Sequence, residues 1–168
     1  MRRILFTAAV AVAAAGITTT SADAAPIAGF SYTSEPGAQP LSGSASWSAP
    51  TDDVAVWEYD GAVKVDAATA DQRDYARVEL SAPSGEQLHE GTYLGAHYRA
   101  QLAPQLAGPG IFIVRGAFGC GDTLQGDFTI THLTRAPDGT LTALDATFTE
   151  RCGGPDTPAA TGEVHFHG

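Results

Sequence analysis

A long β-hairpin in the last third of the chain limits the folds open to this sequence more than any other feature. Residues 127–134 alternate between polar and apolar side chains, and residues 141–151 continue the pattern. An Ala-Pro-Asp-Gly segment at 136–139 separates them, and its Pro and Gly suit a tight turn. In the second strand, Leu144, Ala146 and Phe148 share a face with Cys152. The pattern therefore predicts two paired strands with one apolar face.

Further short segments alternate in the same way or are rich in β-branched and aromatic residues. These predicted strands are residues 54–59, 62–66, 75–80, 111–114 and 162–167. Asp60-Gly61 predicts a hairpin turn. Helical signals are weak: the alanine-rich residues 66–74 are expected to form at most one helical turn, and residues 102–106 predict a loop. We predict an all-β fold, an antiparallel β-sandwich or barrel of short strands with one disulfide.

The N-terminus has the three parts of a secretory signal peptide. A basic Met-Arg-Arg start precedes an uncharged apolar run at 4–17, and Ala22-Asp23-Ala24 fits the small-x-small cleavage pattern. The run is too short for an ordinary membrane span, although an uncleaved anchor is the alternative. We predict a signal peptide at 1–24 and a single secreted, extracellular β domain at 25–168, without stable membrane insertion after cleavage.

The net charge of the chain limits the kinds of molecule that it can bind. Nine Lys and Arg against nineteen Asp and Glu give this acidic protein a net charge of -10. A polyanion would be repelled, so we predict no nucleic-acid partner.

The cysteine count predicts a structural bridge. Cys120 and Cys152 are the two cysteines of the chain, and export to an oxidising compartment favours one disulfide between them. A reactive thiol or a metal-binding pair is the alternative, but the chain lacks Cys-x-x-Cys spacing.

Several segments match a known pattern in order and spacing. Gly119-Cys120 is followed by Leu-Gln-Gly-Asp-Phe-Thr-Ile at 124–130, Phe-Thr-Glu-Arg-Cys-Gly at 148–153 and Ala-Thr-Gly-Glu-Val at 160–164. The chain thereby resembles a recurrent secreted bacterial β-module of unassigned function. It departs from that module at Gly121, where Asn is frequent, and at Arg151, where His is frequent. The resemblance implies the fold, the bridge and export, but no functional site.

Motifs of common catalytic sites are absent from the sequence. It contains no Gly-x-Ser-x-Gly elbow, His-Glu-x-x-His helix or phosphate-binding Gly-x-x-x-x-Gly-Lys loop. We predict a non-catalytic binding or structural module without a cofactor. Its partner would be an extracellular polysaccharide or protein. The alternatives are a small secreted hydrolase, either metal-dependent or carboxylate-based, and a secreted protein inhibitor that acts through a loop at 95–110.

One candidate site is a metal centre near the C-terminus. Glu163, His165 and His167 alternate along one predicted strand and therefore share a face. Imidazole and carboxylate groups bind Zn²⁺ or Cu²⁺, and His132 on a neighbouring strand is the candidate fourth ligand. The alternative is an exposed terminal strand with a polar outer face.

The other candidate site is built from aromatic and basic residues. Its candidate ligand-binding residues are Trp47, Trp57, Tyr59, His97 and Arg99. Trp57 and Tyr59 share one face of a strand, and flat rings stack on sugars. Because Glu58 lies on the opposite face and a charge is expected outside, we predict that Trp57 and Tyr59 point into the core. His97 and Arg99 are predicted in a loop, either as a recognition patch or simply solvated.

Overall fold

The computed structural model describes residues 27–84, 86–98, 108–121 and 123–168. The predicted signal peptide, the predicted loop at 102–106 and Arg99 lie outside these ranges. The strands are β1 (Ile27–Ser34), β2 (Ser44–Ser48), β3 (Asp53–Tyr59), β4 (Ala62–Ala68), β5 (Tyr75–Ser81), β6 (Gly91–Tyr98), β7 (Gly110–Arg115), β8 (Phe118–Gly119), β9 (Leu124–Arg135), β10 (Leu141–Cys152) and β11 (Ala159–His167). Within the described ranges, no helix has the length and apolar character needed to cross a membrane.

All the strands belong to one sheet that curls back on itself. The hydrogen-bonded order is β2-β1-β11-β10-β9-β6-β7-β5-β4-β3, and β8 pairs with β7 beside this path. Neighbouring strands are antiparallel except β6 and β7, which are parallel. At the far end, β3 returns to lie against β1 and β2. The all-β prediction is therefore confirmed, and the architecture is a nearly closed barrel.

The predicted hairpins are present, and the predicted helical turn is not. Strands β9 and β10 pair along their length around the turn at 136–139. Asp60 and Gly61 join β3 to β4 with φ angles of 53° and 70°. The single helical turn that residues 66–74 could have formed is not present, because β4 continues to Ala68. Ala67 pairs with Ala76 of β5 and is fully buried, so strand pairing overrides the helix propensity of alanine.

The inner face of the barrel is the hydrophobic core. Phe30 lies near its centre, with its ring stacked 5.5 Å from Trp47 and 6.2 Å from Phe148. Val63, Val78 and similar inward residues of β4, β5 and β7 pack against the core from the other half of the sheet. Burial of these apolar side chains is the main stabilising term of such a fold.

The predicted disulfide joins Cys120 to Cys152, with the two Cα atoms 5.5 Å apart. Cys152 is the last residue of β10, and Cys120 directly follows β8. The bridge therefore ties the end of the long hairpin to the segment that leaves the β7–β8 ribbon.

Among the described residues, two carboxylates interrupt the apolar inner face, and one of them is paired. Glu58 of β3 accepts two hydrogen bonds from Arg135 of β9, at 2.6 and 3.0 Å. Arg135 also donates to the carbonyl of Leu88 at 3.0 Å. A bidentate pair of this kind is charge-assisted and directional. It fastens β3 to the opposite half of the barrel, where no strand pairing is present.

The second inward carboxylate, Glu150 of β10, has no such partner. Its side chain is 0% exposed, and neither carboxylate oxygen has a hydrogen-bond partner among the described residues. Burial raises the pKa of Glu150 to about 8, because the charged form loses its hydration. The residue is therefore a neutral carboxylic acid in the folded protein at neutral pH.

Substitution of Gly162 tests the packing between β11 and the core. A Cβ at Gly162 would lie 2.6 Å from Cε1 of Phe148 and 2.9 Å from the Ser31 carbonyl oxygen, whereas one at Gly29 would meet nothing closer than 3.7 Å. Overpacking of this kind costs roughly 1–3 kcal/mol. We expect Gly162→Ala to lower the free energy of unfolding by about 2 kcal/mol in urea titrations. Gly29→Ala is the control and should change it little; equal effects would contradict this account.

Glu150 makes stability depend on pH. Between the unfolded pKa near 4.5 and the folded pKa near 8, the folded state keeps a proton that the unfolded state releases. Stability therefore falls as pH rises through this window, by roughly 1.4 kcal/mol per pH unit at most. We expect Glu150→Gln to gain about 3 kcal/mol relative to the unmodified protein between pH 5 and 7.5, measured by urea unfolding. Glu86→Gln, at an exposed position, is the control. If the difference in unfolding free energy between Glu150→Gln and the unmodified protein did not change with pH, Glu150 would not be buried in its neutral form.

Candidate functional site

The outer surface of β1, β9, β10 and β11, with adjoining residues of β2 and β6, forms an array that we call the hydroxyl face. Strand register places its side chains in two rows that run across the strands. The first row is Thr92, Thr129, Thr147, Glu163, Ser31 and Ser46. The second row is Asp127, Thr149, Thr161, Thr33 and Ser44. The residues that alternate with them along each strand point inward and belong to the core. The side chains of both rows therefore face solvent.

The hydroxyl face encloses an open concavity of about 490 Å³. Ser, Thr, Asp and Glu residues of both rows line it, together with the core residues Tyr32, Phe128 and Phe148. A concavity of this volume lies within the size range of small-ligand sites. Its lining is rich in groups that both donate and accept hydrogen bonds.

Hydrogen bonds between neighbouring strands hold several of these side chains in place. Thr33 and Thr161 lie 3.3 Å apart between their hydroxyl oxygens, and Thr92 and Thr129 lie 3.1 Å apart. Such cross-strand pairs orient each hydroxyl and add to sheet stability.

The two carboxylates of the hydroxyl face are oriented in the same manner. Ser31 Oγ donates to Glu163 Oε1 at 3.1 Å, and the Gly95 backbone N–H donates to Asp127 Oδ1 at 2.7 Å. Both residues are exposed. The array is thus partly preorganised while its carboxylates remain accessible to a ligand.

The predicted metal-binding residues lie at the edge of this face, and one of them, Glu163, belongs to its first row. His165 Nδ1 lies 2.9 Å and His167 Nε2 3.3 Å from the same atom, Oδ1 of Asp145 on β10. The His132 ring stacks on His167 with centroids 6.1 Å apart. Glu163 Oε2 lies 3.7 Å from His165 Nε2. The structure therefore brings all four predicted residues together, and adds Asp145, which the sequence pattern missed.

The two histidines of β11 are arranged around the carboxylate of Asp145. Burial raises the pKa of Asp145, but the hydrogen bond from His165 and the charge of His167 outweigh it, and the pKa lies below its usual value. Across the part of the chain that the structure describes, no group of three or more His, Cys, Asp or Glu side chains has an arrangement that could hold a metal ion. The metal site stays a prediction.

The aromatic candidates divide between the core and the surface. Trp47 is 2% exposed and stacks on Phe30, so its assignment to a ligand site was wrong. The inward prediction for Trp57 and Tyr59 was also wrong. Glu58 points inward because Arg135 neutralises it, which turns Trp57 and Tyr59 outward. Tyr59 is 63% exposed and lies over the Lys64 ammonium, 5.4 Å from the ring centroid.

The remaining candidate, His97, is exposed but belongs to β6 rather than to a loop. It pairs with Gly110 of β7 and Gln125 of β9, so β6 extends further than its glycines indicate. The structure does not bring His97 together with Trp47.

The comparisons with known proteins add no assignment to this geometry. No protein-family model matches the chain, and comparison with curated proteins and with solved structures finds no match. The resemblance to a secreted β-module accordingly stays a prediction, and the hydroxyl face is the feature on which a function can be argued.

Proposed function

We propose that this chain is an exported, non-catalytic binding domain whose hydroxyl face holds a polysaccharide chain. The observation that carries the proposal is the pair of Ser and Thr rows around the 490 Å³ concavity. A sugar polymer presents hydroxyl groups along its length, and each can exchange donor and acceptor roles with a Ser or Thr hydroxyl.

The strength of such binding comes from many modest contacts. A neutral hydrogen bond contributes about 0.5–1.5 kcal/mol net, so several must act together to give micromolar affinity. The first row crosses six strands and the second row five. At about 4.8 Å between strands, the rows are roughly 24 Å and 19 Å long. An extended polymer can therefore contact several hydroxyls at once.

The position of the carboxylates favours binding over hydrolysis. Glycosidases place their acid in a desolvated pocket opposite a second carboxylate. Asp127 and Glu163 are both exposed and lie on strands separated by β10. Each instead accepts a hydrogen bond from a neighbour, as a group that orients sugar hydroxyls would.

Export is the second part of the proposal. A disulfide is typical of proteins that mature in oxidising compartments, and Cys120–Cys152 supports this location. The predicted signal peptide at 1–24 leads to the same compartment.

Removal of hydroxyls from the concavity tests the proposal. We expect the protein to be retained by at least one insoluble polysaccharide among cellulose, chitin, xylan and starch in pull-down assays. The triple variant Thr33→Val, Thr147→Val, Thr161→Val keeps side-chain shape but loses three hydroxyls. At about 1 kcal/mol each, we expect its affinity to fall at least tenfold.

Thr134→Val with Thr142→Val is the matched control, because these hydroxyls also form a cross-strand pair, 3.0 Å apart, but lie outside the concavity. Tyr59→Ala reports on the exposed aromatic ring. Retention by no polysaccharide would refute the proposed function. Binding that is lost in Tyr59→Ala but kept in the triple variant would move the site to the aromatic surface.

A further inference from the structure

We infer that the polysaccharide carries positively charged amino groups, so that the hydroxyl face is a site for an amino-sugar polymer. This inference rests on the proposed function and names its ligand class. The charges on the two rows are Asp127 and Glu163, both negative, and neither row contains Lys, Arg or His.

Both carboxylates are placed to meet a ligand. Glu163 stands in the first row with its side chain 55% exposed, between Ser31 and His165. Asp127 ends the second row, where the Gly95 N–H holds one of its oxygens. Leu94, in the same bulge of β6, is 71% exposed and offers an apolar contact for a sugar ring beside that carboxylate.

The basic side chains next to the two rows are already engaged. His165 Nδ1 lies 2.9 Å from Asp145 Oδ1. Arg151 of β10 donates to the Thr157 carbonyl and lies 3.9 Å from Glu35. Lys64, the single lysine of the chain, is on the other half of the barrel and pairs with Glu79 at 3.3 Å. Together with a net charge of -10, this distribution repels an anionic polymer and attracts a cationic one.

The spacing of the carboxylates calls for a ligand with more than one amine. Asp127 and Glu163 are two strands and one row apart, which places their Cα atoms roughly 12 Å from each other. A single ammonium group cannot reach both. A polymer with an amine on each sugar can, and the second contact then forms at high effective concentration.

The expected electrostatic gain is moderate and sensitive to salt. Exposed ion pairs each strengthen an interaction by about two- to fivefold. Two pairs together therefore predict about a tenfold preference for an amine-bearing chain over its acetylated form. At high ionic strength the preference should shrink, because mobile ions screen exposed charges.

The test compares two soluble hexasaccharides that differ only at nitrogen, glucosamine hexamer and N-acetylglucosamine hexamer. Isothermal titration calorimetry with the purified protein at pH 6 would measure both affinities at low and high salt. We expect about tenfold tighter binding of the glucosamine hexamer in 50 mM salt, most of it lost in 500 mM salt.

A matched pair of variants separates a local effect from attraction to the whole acidic protein. Asp127→Asn with Glu163→Gln should abolish the preference. Glu86→Gln with Asp156→Asn removes the same charge at exposed positions outside the concavity and should keep it. A preference that persists in the first double variant would overturn the inference, because it would then arise from overall charge.

The remaining outcomes separate the inference from the proposed function. Equal binding of both hexamers, weakened by the triple Thr→Val variant, would overturn the amine requirement and leave polysaccharide binding intact. Binding of neither hexamer would overturn the inference, and the pull-down panel would then decide whether the proposed function also fails.

Discussion

The gap between β3 and the β1–β2 edge is the constraint on which the rest of this structure depends. No strand pairing closes it, yet β3 must lie there to cover the core. Two arginines reach across the interior instead. Arg135 holds Glu58, and the Arg115 guanidinium lies 5.1 Å from the Tyr32 ring centroid while it binds Asp74 at 3.0 Å. Burial of a charge is costly unless it is well paired, and the bidentate pair of Arg135 with Glu58 meets that condition. The Arg135–Glu58 pair holds β3 in place, and with Glu58 inside, Trp57 and Tyr59 face outward.

The sequence predicted seven of the eleven strands, because alternation and turn chemistry are local signals, and it missed β1, β2, β6 and β8. The hairpin at 127–151 and the turn at Asp60-Gly61 needed no information from elsewhere in the chain. The orientation of β3 was wrong for the opposite reason. Glu58 was expected to face solvent because an unpaired charge usually does. Its partner Arg135, which allows it to point inward, lies 77 residues away in the chain. Trp47 was likewise unassignable, since only the packing of Phe30 against it shows that its ring is buried.

The hydroxyl face was beyond prediction because its rows run across the strands rather than along them. Ser31 and Glu163 are 132 residues apart in the chain, and only the pairing of β1 with β11 makes them neighbours. Each strand taken alone shows no more than a few polar residues on its outer side, which is typical of any solvated sheet. His165 and His167 could be grouped because they share one strand, whereas Asp145, to which both bind, required the register of β10.

The buried Glu150 connects this face to the core, because both depend on the register of one strand. Thr147 and Thr149 point outward from β10 while Phe148 and Glu150 point inward, and a slip of one residue would reverse all four. Such a slip would hydrate the Glu150 carboxylate, which favours it, but would expose Phe148 and Ala146 and dismantle the hydroxyl rows. Cys152 lies two residues beyond Glu150 and is bonded to Cys120, so the disulfide fixes the end of β10 against the segment that follows β8. The bridge therefore acts locally, by keeping an unfavourable carboxyl group inside so that the threonines beside it stay outside.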